Sequence, residues 1–318
     1  GKGYNLLVLA QGGFIVPSAF IVIQDAFWEF RQELGFDFST QQDLPISDDT
    51  IDYIRNLVDN HELKEELVAE INTRLHDLRN QSPIAHPLLA VRSSGVAEDL
   101  DNASFAGMNE TVLNVECDCS SVCHAVKECW KSLFTRRSIE YRVKNGFPAF
   151  DTSIAVIVQV MIPSEVAGVV FTVDPHTSSR AHLALDGVQG IGEALVSGMV
   201  VSDHWTIRKP YGDYDFFVEE AIINQQEFKL QSNYPKEGTS KIILSEEEGG
   251  KPSFTPDQVS IDIVIHLKID HIVRSAIEIE KYYQKPMDIE FSIYCNELYI
   301  LQARPITHLL TIPNCRFL

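Results

Sequence analysis

The nine residues from Ile154 to Ile162 contain a single polar side chain, Gln159, and the run is ended by Pro163. Most of the nine are β-branched, so the run reads as a strand with no face turned to water. A buried strand needs cover, and two segments have the period to supply it. Leu63, Leu67, Ile71, Leu75 and Leu78 recur at spacings of four and three, which predicts a helix over 61–80. Val122, Ala125, Val126, Cys129, Trp130 and Leu133 share one face of a second helix expected over about 121–144. Gln159 is the one polar intruder in that strand, and buried amides find partners.

Elsewhere the chain alternates short elements. Asn5–Ala10 reads as a helical piece stopped by Gly12-Gly13, Phe20–Ile23 as a strand, and Pro83–Val91 as a turn running into a strand. Strand signals follow at Val169–Val173, His182–Asp186, Trp205–Arg208 and Lys241–Leu244, then a helix at about 256–284 and a hairpin, Asp288–Tyr294 with Leu298–Gln302. Residues 230–256 read as a surface loop or ribbon. The fold class is mixed α+β in two lobes, 1–168 and 169–318, with a hinge near Pro163–Gly168; 318 residues suit two cores better than one.

The net charge of −19 and pI near 4.9 oppose a phosphate backbone, so nucleic acid is not an expected partner. Any cation that holds a phosphate on such a chain must be placed locally. No apolar run has the length of a membrane helix. Cys117, Cys119, Cys123 and Cys129 cluster around His124 but lack the paired spacing of a zinc knuckle. They read as reduced thiols of a cytoplasmic protein.

Two segments carry chemistry. From Ala90 to Thr111, a strand delivers Arg92 into a loop of Ser, Gly and small residues that includes Gly107. Such a loop can aim N–H groups and hydroxyls at an anion, beside a guanidinium that offers two parallel hydrogen bonds. In the second segment, Ile289, Phe291 and Ile293 occupy one face of a strand, which leaves Asp288, Glu290 and Ser292 on the other. A three-residue loop would set Glu290 opposite Gln302 and Asp288 opposite Arg304, whereas a two-residue loop would set Leu301 opposite Glu290. A carboxylate beside an amide oxygen is a hard ligand pair suited to Mg²⁺.

Together these segments resemble the N-terminal nucleotide-binding domain of the phosphoenolpyruvate synthase, pyruvate phosphate dikinase and rifampin phosphotransferase family. The resemblance runs from Gly1-Lys2-Gly3-Tyr4-Asn5-Leu6 to Gln302-Ala303-Arg304-Pro305, through Val170-Phe171-Thr172, Asp174-Pro175 and the stretch Gly190 to Gly198. It implies an ATP-grasp-type fold, with ATP held between two lobes, and an ATP-dependent phosphotransferase. In that frame Lys2, Arg92 and Arg304 resemble the catalytic cations at the phosphates. Gly107 and Thr111 resemble the phosphate-loop residues, Gln159 the contact to the base region, and Glu290 and Gln302 the Mg²⁺-nucleotide ligands. Met108, Tyr4 and Ser18-Ala19 depart from the family pattern without removing a charged residue. The family passes phosphate to a histidine on a swivelling domain, then to a small-molecule acceptor. His176 and His308 lack that setting, so the phosphohistidine domain is expected on another segment or chain. The alternatives are a self-sufficient kinase or ligase acting on a small molecule, and a nucleotide-sensing module.

Overall fold

The computed structural model describes residues 1–39, 46–95, 110–150, 152–213, 215–233, 239–249 and 263–306. In chain order the elements begin with α1 (Lys2–Gln11), β1 (Ala19–Val22), α2 (Gln24–Glu33), α3 (Asp48–Asn60) and α4 (Glu65–Gln81). Next come β2 (Leu89–Gly95), β3 (Thr111–Val115), α5 (Cys119–Lys131), a 3₁₀ turn (Ser132–Phe134), α6 (Arg136–Lys144) and β4 (Ile154–Val160). They are followed by β5 (Val166–Phe171), β6 (His182–Gln189), α7 (Glu193–Val196), β7 (Asp203–Arg208) and β8 (Phe217–Ile222). The last are β9 (Phe228–Ser232), β10 (Thr239–Ile243), α8 (Glu246–Gly249), α9 (Ile263–Tyr283), β11 (Met287–Tyr294) and β12 (Glu297–Pro305).

The class is mixed α+β, and the chain forms two compact units. Their boundary differs from the expected 168/169. The chain changes unit at Met161/Ile162, and Lys2–Val16 belongs to the second unit. Hydrophobicity alone hides this, because α1 joins its core through Leu9, 153 residues before the next segment of that unit begins at Ile162.

The first unit is a four-stranded sheet ordered β1-β4-β2-β3 with α2 and α5 packed on it. The run that anchored the sequence reading is β4, an interior strand, with Val156, Val158 and Val160 buried. Beneath it Trp130 packs between Phe27 and Phe30, at centroid distances of 5.7 and 4.8 Å. The helix expected over 121–144 is two helices. Phe134 is fully buried, and Thr135 caps α6 by accepting a hydrogen bond from the Ser138 N–H. Such caps are worth about 1 kcal/mol and compete with helix continuation.

The second unit is a six-stranded sheet ordered β12-β11-β5-β6-β7-β8, with a ribbon of β9 and β10. One face is apolar. Ala303, Ile289, Val170, Leu185 and Trp205 form a row across five strands, covered by Ile272, Val273 and Ala276 of α9 and by Leu9 of α1. Gly168 is required in β5, since a Cβ there would collide with Phe291 and the Asp186 carbonyl. Because side chains alternate along strands, the opposite face of this sheet carries the polar partners of that row.

Candidate functional site

In the second unit, β11 and β12 are joined by a two-residue turn, Cys295-Asn296, with both φ angles positive at 49° and 62°. Positive φ at both central residues defines the type I′ hairpin. On turn length alone Leu301 would face Glu290. A bulge between Glu290 and Phe291 in the ladder absorbs the difference, so Phe291 pairs with Ile300 while Glu290 pairs with Gln302 and Asp288 with Arg304. The expected pairing therefore exists, but the loop expected to produce it does not. A bulge leaves one residue unpaired and restores the phase of all that follows, and bulges recur where a side chain must be re-aimed.

The pairing has consequences. Gln302 is buried at 4% exposure, and its Oε1 has no hydrogen-bond partner among the described residues. An unsatisfied buried carbonyl oxygen costs about 1–3 kcal/mol, so a group that bonds it is favoured there. The neighbouring carboxylate of Glu290 and this amide oxygen form a hard donor set of the kind that suits Mg²⁺. One residue pair further, the Arg304 Nε donates to Asp288 Oδ2 at 2.8 Å, and a terminal guanidinium nitrogen lies 2.7 Å from the same oxygen. Burial pushes the Asp288 carboxyl up from its ordinary range, while the Arg304 charge pulls it back. The Arg304 side chain remains 47% exposed, with its guanidinium held along one edge by Asp288. Sequence reasoning placed Asp288 opposite Arg304 but gave it no role, and its carboxylate orients the Arg304 head.

In the first unit, Arg92 pairs with Thr111 on one side and Ile157 on the other. Gln159 pairs with Ala90 and Ala19. Cross-strand partners share a face, so Arg92, Thr111 and Gln159 stand on the same face of this sheet, opposite Val91, Val156 and Val158. Gln159 is buried, and its Nε2 has no hydrogen-bond partner among the described residues. Within β2, the Ser93 N–H and Oγ both donate to the Glu110 carbonyl at 3.0 and 2.9 Å. Gly107 lies outside the described residues. Gly1 rests against Ser94 of β2, and Lys2 opens α1.

The sequence matches the profile of the pyruvate phosphate dikinase AMP/ATP-binding domain over residues 1–312. The chain belongs to that family. Among curated relatives it is 32% identical to a probable phosphoenolpyruvate synthase of Methanocaldococcus jannaschii over 97% of this chain and 25% of that protein. It is 34% identical to the phosphoenolpyruvate synthase of Pyrococcus furiosus over 97% of this chain and 42% of that one. A rifampicin phosphotransferase of Bacillus cereus is 39% identical over 71% of this chain and 24% of its own length. This pyruvate phosphate dikinase-type domain thus spans about a quarter to two fifths of those relatives. No helix among its described residues is long and apolar enough to cross a membrane.

Proposed function

We propose that this chain is an ATP-dependent phosphotransferase domain of the ATP-grasp type, binding Mg²⁺-ATP and donating phosphate to a histidine on a separate domain or partner. The observation that carries the reading is the bulged pairing of Glu290 with Gln302, which leaves a buried amide oxygen without a partner beside a carboxylate. In the second unit, Glu290 and Gln302 hold the metal–nucleotide, and Arg304, braced by Asp288, bears on the transferring phosphate. In the first unit, Arg92 and Thr111 take phosphate oxygens and Gln159 donates to the base region. Gly107 is assigned to the phosphate loop, and Lys2 to the phosphates as a further cation.

Phosphoryl transfer asks for in-line positioning and charge neutralisation more than for covalent help. Mg²⁺, when bound, would neutralise phosphate charge. Arg304 in the second unit would supply a fixed donor aimed where charge develops on the transferring phosphate, and Arg92 in the first unit a guanidinium for phosphate oxygens. The Asp288 carboxylate keeps the Arg304 plane from rotating, which is preorganisation rather than chemistry. A cytoplasmic setting belongs to the same proposal. The acceptor chemistry is tested by incubating the chain with β- and γ-labelled ATP, with and without proteins carrying candidate phosphohistidine domains. Label transfer only in the presence of such a partner supports the reading. Turnover of a small acceptor, an antibiotic hydroxyl for example, by the isolated chain would replace it with a self-sufficient kinase.

A further inference from the structure

The polar face of the six-stranded sheet extends beyond the hairpin. Ladder pairs link Gln302 to Glu290, Glu290 to Val169, Val169 to Asp186, and Asp186 to His204, so these five residues form one row on one face. The row is the polar counterpart of the apolar one under α9. Asp186 lies two strands from Glu290, or about 9.5 Å at ordinary strand spacing. His204 Nδ1 is 3.0 Å from Asp186 Oδ1, and the Ser202 hydroxyl donates to the same oxygen at 3.4 Å. Thr206 Oγ1 stands 3.4 Å from the other ring nitrogen of His204. Asp186 Oδ1 is thus occupied, whereas Oδ2 takes no hydrogen bond among the described residues. The two side chains are 26% and 23% exposed, so the pair is partly covered yet reachable.

A nucleotide whose phosphates meet Glu290 and Gln302 has three kinds of group to offer along this row. Phosphate oxygens only accept and are negative, so a carboxylate repels them. An adenine ring offers one exocyclic amine and a large flat surface. Ribose hydroxyls donate, and a free carboxylate oxygen accepts them. Val169 and Ala184 beside Asp186 are apolar and small, leaving space for the carbon face of a sugar. We infer that Asp186, oriented by His204, accepts the ribose hydroxyls of the bound nucleotide and selects ribonucleotides over deoxyribonucleotides. This rests on the phosphate-site reading of Glu290 and Gln302.

The test is a set of equilibrium titrations of the whole chain with Mg²⁺ complexes of ATP, 2′,3′-dideoxy-ATP and inorganic tripolyphosphate. The wild type is expected to bind ATP about tenfold more tightly than the dideoxy analogue, the usual scale for a hydrogen bond to a charged group. In Asp186→Ala the two nucleotides should bind alike, at the affinity of dideoxy-ATP for the wild type, with tripolyphosphate unchanged. Discrimination that is absent from the wild type, or survives in Asp186→Ala, overturns the inference. Should circular dichroism show that Asp186→Ala is unfolded, Asp186→Asn keeps the shape and is expected to lose discrimination about threefold; unaltered discrimination in it also overturns the inference. Failure of the wild type to bind tripolyphosphate would contradict the phosphate-site reading itself, and this proposal with it.

Discussion

In the four-stranded sheet, Arg92 is set against β4 by an uninterrupted ladder, Leu89–Gly95 of β2 pairing in order with Val160–Ile154, while the β3 ladder on its other side shifts register between Leu89 and Val91 before Arg92 meets Thr111. In the six-stranded sheet, Glu290 meets Gln302 only because a bulge corrects a two-residue turn. On the β4 side the position of Arg92 is spread over seven successive pairs, so a one-residue slip anywhere along them would turn it to the other face. The hairpin concentrates its register in a few residues, and the side chain it aims is the one left with an unsatisfied oxygen. A continuous β2–β4 register positions the Arg92 charge, whereas the bulge in the β11–β12 ladder positions a buried amide oxygen.

The largest expected effect is at the hairpin. Arg304→Ala should lower turnover by a thousandfold or more while adenine-nucleotide binding persists, the scale seen when a transition-state cation is removed. Equal loss of binding and turnover would show that Arg304 acts on the ground state. Deleting Leu301 sharpens the comparison differently, because it removes the bulge yet leaves Gln302 opposite Glu290. Affinity for Mg²⁺-ATP should stay within about tenfold if pairing is what matters. A loss of a hundredfold would mean that the bend itself aims the amide.

In the other sheet, Gln159→Leu removes a buried donor without a partner among the described residues. Thermal stability should hold or rise by about 1 kcal/mol, and ATP affinity should fall about tenfold. The reverse pattern, lost stability with unchanged affinity, would mark a structural amide and make this face passive.

The smallest effect concerns His204, whose pKa is raised above 6.5 chiefly by its hydrogen bond to Asp186, with the charges of Asp186, Asp174 and Glu220 acting in the same direction and burial opposing. A raised folded-state value means that the pair's stabilisation is complete below about pH 6.5 and fades as pH climbs through the folded value. Melting curves between about pH 6 and 8 should show that fade in the wild type and its absence in His204→Gln. An identical slope in both would remove the pair from the account.

Much of this was legible beforehand because it is periodic. The alternation of Ile289, Phe291 and Ile293 with Asp288, Glu290 and Ser292 separates two faces without any knowledge of partners, and the apolar run at Ile154–Ile162 needs only burial. What escaped depends on long-range pairing or local irregularity. Cys295 is a poor candidate for positive φ, and no Gly follows Asn296, so the tight turn left little trace. The break at Thr135 is one capping hydroxyl inside an amphipathic run. Asp186 and His204 meet only through the β6–β7 register. Helices α2 and α3 went unread, their apolar faces being short.

The most direct test of the central claim is the Mg²⁺ dependence of ATP affinity, measured calorimetrically for the wild type and for Glu290→Ala. If Glu290 and Gln302 hold the metal–nucleotide, the wild type binds ATP more tightly with Mg²⁺ than without, and the substitution weakens Mg²⁺-ATP far more than metal-free ATP. Equal weakening of both forms, or an unchanged gain from Mg²⁺ in Glu290→Ala, contradicts it.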